Sequence, residues 1–279
     1  MCKGPAPLRE QILRLTRIAF STCVWGDMHN PLLIKLSHLC GLSPSDCSAM
    51  RFGEPHLVVP HHEILSDGQI VSHAGLLLSG MACRYKMVGD GRRAITAFFL
   101  PGDFLNQQMP ERQRLDFGVV ALTPCEIVDV PLATWRDTGR SPLSNALTLL
   151  TGMDMAIARA WLANLSQRPA DKRLAHLLCE LRQRMALVDM ADGHSFRLPL
   201  IQQDLADALG LSTVHVNRVL QHIKEMGLVR IRDRTFLIGD LERLEQFAEF
   251  DPSYLNLGSA STDPSAGSIR ASAPVSIHL

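Results

Sequence analysis

A short segment near the C-terminal end limits the possible folds of this chain more than any other. The stretch Gln202–Leu209 predicts a two-turn helix, in which Ala206 is small enough for a second helix to cross closely. Gly210 follows at a position that suits a left-handed helix cap, which other residues adopt only with steric strain. Ser212 can then cap a second helix, over Thr213–Met226, with its hydroxyl group. This spacing of a small residue, a glycine and a capped helix predicts a helix-turn-helix.

The second helix of this pair has one apolar face and one mostly polar face. Its apolar side chains recur at spacings of three and four residues: Val216, Val219, Leu220 and Ile223. The opposite face suits the edges of DNA bases, because arginine can bind guanine at two atoms, asparagine suits adenine, and valine suits the methyl group of thymine. We predict that four residues of this face contact bases: Thr213, Val214, Asn217 and Arg218.

A β-hairpin is predicted directly after the second helix. Leu228–Ile231 and Thr235–Ile238 indicate two strands around a turn at Asp233 and Arg234, and such a hairpin would form the wing of a winged helix. Six side chains are expected to contact DNA phosphates: Gln203, Ser212, His215, Arg230, Arg232 and Arg234. The alternative is a helical pair whose polar face is only solvated. Spacing, capping and wing together favour DNA binding.

The region Leu57–Val130 has the pattern of an antiparallel β structure. Short apolar runs alternate there with Gly or Asp-Gly, which favours a roll or barrel over alternating strands and helices. The runs are Ile70–Val71, Leu76–Leu78, Ile95–Leu100, Phe117–Leu122 and Ile127–Val130. A short helix over Asn30–Asp46, ended by Gly41, is predicted to precede them.

Helical spacing of the apolar residues begins after Pro142. It predicts one helix that ends before Arg168-Pro169 and a second over Ala170–Leu187. The first helix would have ~25 residues and span about 37 Å. Because its apolar residues cover much of its circumference, we expect it to pack against a twin helix from a second copy of the chain.

Composition excludes several classes of function. The formal net charge is zero and the pI is about 7.2, so DNA binding must rest on local placement of charge. No continuous apolar run is long enough for a membrane helix and no secretory signal is present, which predicts a cytoplasmic protein without a membrane partner. Paired carboxylates, a G-x-S-x-G motif and a phosphate-binding glycine loop are all missing from the sequence, so we do not expect an enzyme.

The seven cysteines have no C-x-x-C spacing and are expected to be small, mostly buried residues. A redox or metal role for Cys40 and Cys47 is the alternative. His56, His61, His62 and Glu63 crowd together, but neighbouring residues of an extended segment point to opposite faces, which argues against a metal site.

Three phrases of the sequence resemble the Crp/Fnr family, which includes the cyclic AMP receptor protein and the fumarate–nitrate regulator. They are LLLSGMACRYKMVGDGRRAITAFFLPGDF, ADKRLAHLLCEL and, most specific, QQDLADALGLSTVHVNRVL. The resemblance covers about Asn30–Asn256. It implies an effector-type β-roll, a dimerising helix and a C-terminal winged helix, with double-stranded DNA, a second copy and RNA polymerase as partners.

The sequence departs from the family at the expected effector site. Nucleotide-binding members follow the Pro-Gly-Asp-Phe turn with Gly-Glu and then Pro-Arg-Ser or Pro-Arg-Ala. This chain has Leu105–Gln108 after that turn and no Arg-Ser or Arg-Ala pair before Phe117. We therefore expect cyclic AMP to bind weakly or not at all; if it bound, Arg92 or Arg112 would have to hold its phosphate.

Other cofactors of the family also lack their signals in this sequence. The clustered N-terminal cysteines of iron–sulfur members are missing, and nothing specific indicates haem, so no cofactor is evident. Many relatives have glutamate at the position of Val214, where it accepts a hydrogen bond from cytosine, so the DNA half-site should differ at that base.

These observations predict an α+β chain with an N-terminal antiparallel β-roll, a long dimerisation helix and a C-terminal winged helix-turn-helix. The expected segments are an N-terminal extension (1–29), the β-roll (30–140), the dimerisation helix (141–168), the DNA-binding domain (169–256) and a disordered tail (257–279). Because the resemblance begins at Asn30, just after Met28, residues 1–27 are expected to be a dispensable extension or the product of a mis-assigned start.

The function predicted is that of a dimeric, sequence-specific transcription regulator that reads a palindromic site with the helix at residues 212–226. The alternative is an effector-sensing β-roll protein that regulates a partner protein without binding DNA. Arg218 and an intact Gly210 argue against this alternative.

Overall fold

The protein structure is a computed structural model that describes residues 30–48, 50–107, 114–132 and 141–255. The predicted N-terminal extension and C-terminal tail lie outside these residues. The chain divides into two compact units, with boundaries after residues 35, 42 and 139. Helix α1 (Pro31–Cys40) begins in the first unit and ends in the second, followed by Gly41 in a left-handed conformation.

In its described residues, the first unit contains seven antiparallel strands after the start of α1. They are β1 (His56–Val58), β2 (Glu63–Leu65), β3 (His73–Ser79), β4 (Ala82–Val88), β5 (Arg92–Phe99), β6 (Gly118–Ala121) and β7 (Cys125–Pro131). One sheet has the order β1-β7-β3 and the other the order β2-β6-β4-β5, with every pair antiparallel. The antiparallel β prediction for this region is confirmed.

Several details of this unit differ from the sequence prediction, which also did not include the three-residue strands β1 and β2 among its runs. The run Ile70–Val71 forms no strand, because Ile70 makes only an isolated bridge to Arg114. Strand β4 was not among the predicted runs, although it is the central strand between β6 and β5. Arg84 and Lys86 interrupt its apolar residues, so it lacks the continuous apolar run that marks the longer strands.

The tight turns of the first unit depend on glycine at two positions. Gly80 has φ +90°, and a Cβ atom there would lie 2.2 Å from the carbonyl oxygen of Pro124. Gly102 has φ +84°, and its Cβ atom would lie 2.8 Å from the carbonyl oxygen of Pro31. Any other residue would therefore combine backbone strain with a steric clash.

The second unit begins with the long helix α2 (Pro142–Gln167). Ser141 caps it by accepting a hydrogen bond from the Ser144 backbone N–H at 3.1 Å, and the helix ends before Arg168-Pro169 as predicted. One face of α2 is buried: Leu143, Ala146, Leu147, Leu150, Met153, Ile157, Trp161 and Asn164. Among the described residues, α2 alone has the length and composition that could cross a membrane. A single such helix is weak evidence for a span, because core helices of soluble proteins meet the same criterion.

The rest of the second unit combines helices with a small antiparallel sheet. The elements are α3 (Ala170–Ala186), β8 (Ala191–Asp192), β9 (Ser195–Arg197), α4 (Gln202–Leu209), α5 (Thr213–Glu225), β10 (Val229–Arg232), β11 (Thr235–Ile238), α6 (Leu241–Ala248) and a final 3₁₀ helix (Pro252–Leu255). The sheet order is β10-β11-β9-β8. The predicted hairpin is thus extended by two further strands, which at two and three residues are too short for a sequence pattern to reveal.

Candidate nucleic-acid interface

The tight crossing of α4 and α5 is built as the sequence predicts. Ala206 is buried, and its carbonyl oxygen accepts hydrogen bonds from the N–H groups of Gly210 and Leu211. Gly210 has the left-handed values φ +63° and ψ +38°. The Ser212 hydroxyl then accepts a hydrogen bond of 3.2 Å from the backbone N–H of His215, which caps α5. The predicted caps of both helices are confirmed.

The two faces of α5 differ sharply in exposure. All four residues of the predicted apolar stripe, Val216, Val219, Leu220 and Ile223, are buried. On the opposite face Val214 is 79% exposed, Asn217 and Arg218 are exposed, and Thr213 is half-buried. The side chains of Asn217 and Arg218 form no hydrogen bond or ion pair with any other residue that the structure describes. This face is therefore ready to contact a ligand outside the chain.

A groove of about 800 Å³ runs beside this face of α5. Val214, Asn217 and Arg218 line one side, and Ala170 and Asp171, at the start of α3, line the other. Within this groove the Nε2 atom of His222, which also lines it, lies 3.8 Å from the Oδ2 atom of Asp171.

Sequence analysis did not identify Asp171 and His222 as part of this interface. The two residues are 51 positions apart, and no local pattern brings them together. Because a carboxylate repels phosphate, Asp171 gives the groove a mixed charge.

The wing presents three arginines around a tight turn. Arg230, Arg232 and Arg234 are all exposed, and Arg232 lies 3.8 Å from Asp233, which is itself exposed. Asp233 and Arg234 both have positive φ values, +49° and +62°, as a type I′ turn requires. The carbonyl oxygen of Arg234 accepts a hydrogen bond from the Leu198 N–H at 2.9 Å, which ties the turn to the chain before α4.

The other predicted phosphate contacts lie at the start of the two helices. Gln203 is exposed, and its amide donates a 2.6 Å hydrogen bond to Asp207, a partner that sequence analysis did not predict. Ser212 is exposed while it caps α5, and His215 is half-buried.

The alternative metal and effector residues lie in other parts of the fold. Glu63 accepts hydrogen bonds from the hydroxyl groups of Ser66 (2.6 Å) and Tyr85 (2.7 Å), and both bonds lower the pKa of Glu63. The bond to Glu63 in turn raises the pKa of Tyr85 to about 12. Within the described ranges no three His, Cys, Asp or Glu side chains are grouped to hold a metal ion. Cys47 is buried and Cys40 half-buried, and burial raises the pKa of the Cys40 thiol. Arg92 is exposed at the start of β5, and Arg112 lies outside the described residues.

Comparison with known proteins identifies the two units separately. Residues 172–247 match the family model of the Crp-like helix-turn-helix domain, and residues 56–140 match that of the cyclic nucleotide-binding domain. The chain is 30% identical over 197 residues to the nitrogen fixation regulation protein FixK of Azorhizobium caulinodans, covering 70% of this chain and 79% of that protein.

Two further matches agree with this result. The chain is 26% identical over 202 residues to the transcriptional activator protein FnrL of Cereibacter sphaeroides, covering 67% of this chain and 77% of that protein. Among solved structures, FixK2 from Bradyrhizobium japonicum has a similar fold, with a TM-score of 0.62 at 23% identity over 70% of this chain and 96% of that one.

Proposed function

The chain belongs to the Crp/Fnr family of DNA-binding transcription regulators, and we propose that it reads DNA through the exposed face of α5. One observation carries this proposal: Asn217 and Arg218 stand exposed, with no side-chain partner among the described residues, on a helix whose opposite face is buried. Base contacts are assigned to Thr213, Val214, Asn217 and Arg218. Phosphate contacts are assigned to Gln203, Ser212, His215, Arg230, Arg232 and Arg234.

Dimers and palindromic sites are typical of this family, and α2 has a surface that fits a twin helix. Three large apolar side chains of α2 are exposed: Met155 (53%), Leu162 (69%) and Leu165 (36%). Together with Thr148, Thr151 and Ala158 they alternate at spacings of three and four residues, which is the pattern of a two-stranded coiled-coil seam. We therefore assign this strip to contact with the same strip of a second copy.

The remaining assignments rest on family membership. We place the β-roll at 30–140, the dimerisation helix at 141–168 and the DNA-binding domain at 169–256, with RNA polymerase as a protein partner in the cytoplasm. The family is generally non-enzymatic, and we assign no catalytic activity to the chain.

The first unit matches the cyclic nucleotide-binding domain, but we propose that it does not use cyclic AMP as its effector. After Phe104 the chain continues with Leu105, Asn106 and Gln107, where nucleotide-binding members have Gly-Glu. Asn106 is buried, and its side chain bonds the backbone of strand β3. Its amide oxygen accepts a hydrogen bond from the Gly75 N–H, and its amide nitrogen donates one to the His73 carbonyl oxygen. It therefore has little left to offer a ribose or a phosphate.

The proposal is tested by comparing Arg218→Ala with Arg232→Ala. Duplexes that the wild-type protein selects from random DNA, and scrambled versions of them, are titrated at several salt concentrations. Arg218→Ala should weaken the selected site by about 10–100-fold and scrambled DNA little, because a two-atom contact to guanine discriminates by about 1–3 kcal/mol. Arg232→Ala should weaken both DNAs equally and reduce the salt slope by about one phosphate contact per wing.

Two results would contradict the assignment. An equal loss on both DNAs for Arg218→Ala would make Arg218 a phosphate contact only. Full binding by both variants would exclude α5 and the wing as the DNA-binding surface.

A further inference from the structure

A single buried carboxylate joins three segments of the second unit. Glu180, on α3, is 0% exposed. It accepts hydrogen bonds from Trp161 Nε1 of α2 (3.0 and 3.1 Å), from the Tyr254 hydroxyl of the final 3₁₀ helix (3.0 Å) and from Arg184 Nη1 of α3 itself (3.2 Å). Burial raises the pKa of Glu180, while Arg184 and the other donors oppose that rise.

A second polar link lies one turn further along α2. Asn164 is buried, and its side-chain amide donates to the carbonyl oxygen of Arg173 on α3 at 3.1 Å. The Arg173 guanidinium in turn donates to the carbonyl oxygen of Leu209, the last residue of α4, at 2.8 Å. Trp161 and Asn164 thus connect one face of α2 both to α3 and, through Arg173, to the helix-turn-helix.

These links are better suited to fixing orientation than to adding stability. A buried ion pair is often replaced by well-packed apolar residues with no loss of stability, because removing two charges from water is costly. Hydrogen bonds, in contrast, weaken steeply when their angles change. The Trp161 donor of α2 that meets Glu180 therefore restricts how α3 can rotate or slide against α2.

We propose that Glu180 is a positioning residue that fixes the separation and rotation of the two recognition helices of the dimer by holding Trp161. This inference rests on the proposed function, in which α2 pairs with its twin and α5 enters the DNA. Helix α3 packs against both α2 and α5, so the orientation of α2 is passed to α5 through α3. Because Glu180 fixes the contact between α2 and α3, the dimer should bind palindromic DNA with one preferred spacing between its half-sites.

The spacing preference can be measured directly. The half-site that the wild-type protein selects from random DNA is placed in duplexes with the selected spacing and with one base pair removed or added. One base pair moves a half-site by about 3.4 Å and rotates it by roughly 35°. The wild-type protein should prefer the selected spacing by about tenfold or more, since each shift forces the loss of at least one charged contact.

Trp161→Phe keeps an aromatic ring on α2 but removes the N–H donor, and it should reduce this preference to about threefold or less. Tyr254→Phe is the matched control, because it removes a donor from the same carboxylate but leaves the hydrogen bonds between α2 and α3 in place. Its spacing preference should stay at the wild-type value. Affinity for a single half-site should be the same for all three proteins.

A double variant separates positioning from folding. Glu180→Met with Arg184→Met replaces the buried pair by apolar side chains of similar length and leaves no buried charge. It should still unfold in one cooperative transition, at a melting temperature somewhat below the wild-type value because Trp161 and Tyr254 lose their acceptor, and it should lose the spacing preference. If the wild-type protein discriminates between spacings and both Trp161→Phe and the double variant discriminate equally well, the inference is wrong while the proposed function stands. If the wild-type protein binds no palindrome, the proposed function itself fails.

Discussion

The polar side chains of the turn at residues 103–106 in the first unit and those on the exposed face of α5 in the second unit are used in opposite ways. In the first unit they serve the unit itself: Asn106 bonds the backbone of β3, and Asp103 pairs with Lys35 and accepts a hydrogen bond from the Leu100 N–H. In the second unit Asn217 and Arg218 are exposed and make no side-chain bond within the described residues. Polar groups that bond the backbone of their own unit contribute to folding, whereas the two exposed side chains of α5 are available to a ligand.

Two turn glycines, one from each unit, show a related contrast. Gly80 in the first unit has φ +90° and would press a Cβ atom against Pro124 and Cys125. Gly210 in the second unit has φ +63° and nothing within 4 Å of its Cβ position. The turn at Gly80 therefore excludes a larger residue by packing as well as by backbone conformation. The turn at Gly210 requires only the left-handed backbone conformation.

Replacing each of these two glycines by alanine tests this contrast, and Gly80→Ala should have the largest effect of all the variants considered. Gly80→Ala should lower the free energy of unfolding by about 3 kcal/mol, because left-handed strain and a clash with backbone atoms add together. Gly210→Ala should lower it by about 1 kcal/mol, since only the strain applies. Chemical denaturation of both variants measures the difference. Equal losses would mean that the turn at Gly80 relaxes freely, and the contrast in packing would be lost.

Acid stability should also distinguish the second unit, because it contains a buried histidine. His176 is 3% exposed and packs against the rings of Phe250 and Tyr254, with centroids 5.1 and 6.2 Å away. Burial, assisted by the charge of Arg168, lowers its pKa from 6.5 to about 4. Below pH 6.5 the unfolded chain therefore binds a proton that the folded chain excludes, so stability is present above pH 6.5 and lost as the pH falls toward 4.

Replacing this histidine isolates its share of the pH dependence. Between pH 6.5 and 4 the wild-type protein should lose up to about 3 kcal/mol more than His176→Phe, which keeps an aromatic ring at the site. The pKa of Glu180 is raised, so its contribution to stability changes with pH in the opposite direction. Because both proteins contain Glu180, subtracting their free energies of unfolding at each pH cancels this contribution. If the free energies of unfolding of the two proteins changed with pH in parallel, folding would not lower the pKa of His176.

The sequence predicted those parts of the molecule whose cause is local. The turn at Gly210, the Ser212 cap and the two faces of α5 follow from residues within one or two helical turns, and the structure confirms them. Strand β4 was not predicted, because Arg84 and Lys86 interrupt its apolar pattern while its pairing with β5 and β6 fixes it as a strand.

Long-range contacts between side chains leave no such local pattern. His222 approaches Asp171 only because α3 packs beside α5. The carboxylate of Glu180 meets Trp161 and Tyr254 from opposite directions along the chain, 19 and 74 residues away. The segments that carry these residues have ordinary compositions. Only the fold therefore shows that His222 lies near Asp171 and that Trp161 and Tyr254 meet Glu180.

The smallest predicted effect concerns the turn of the wing, where folding and binding make opposite demands. Arg234 has φ +62° in a type I′ turn, a position that glycine fills without strain. Arg234→Gly should therefore raise the free energy of unfolding, by about 0.5–1 kcal/mol. It should also weaken binding to selected and scrambled DNA equally, by roughly two- to fivefold, and lower the salt slope by about one phosphate contact per wing. Arg234→Lys, the matched control, keeps both the strain and the charge, so its stability and its DNA affinity should stay near the wild-type values. A glycine variant that is more stable and binds DNA as well as the wild type would mean that Arg234 contacts no phosphate, and the phosphate contacts of the wing would then be confined to Arg230 and Arg232.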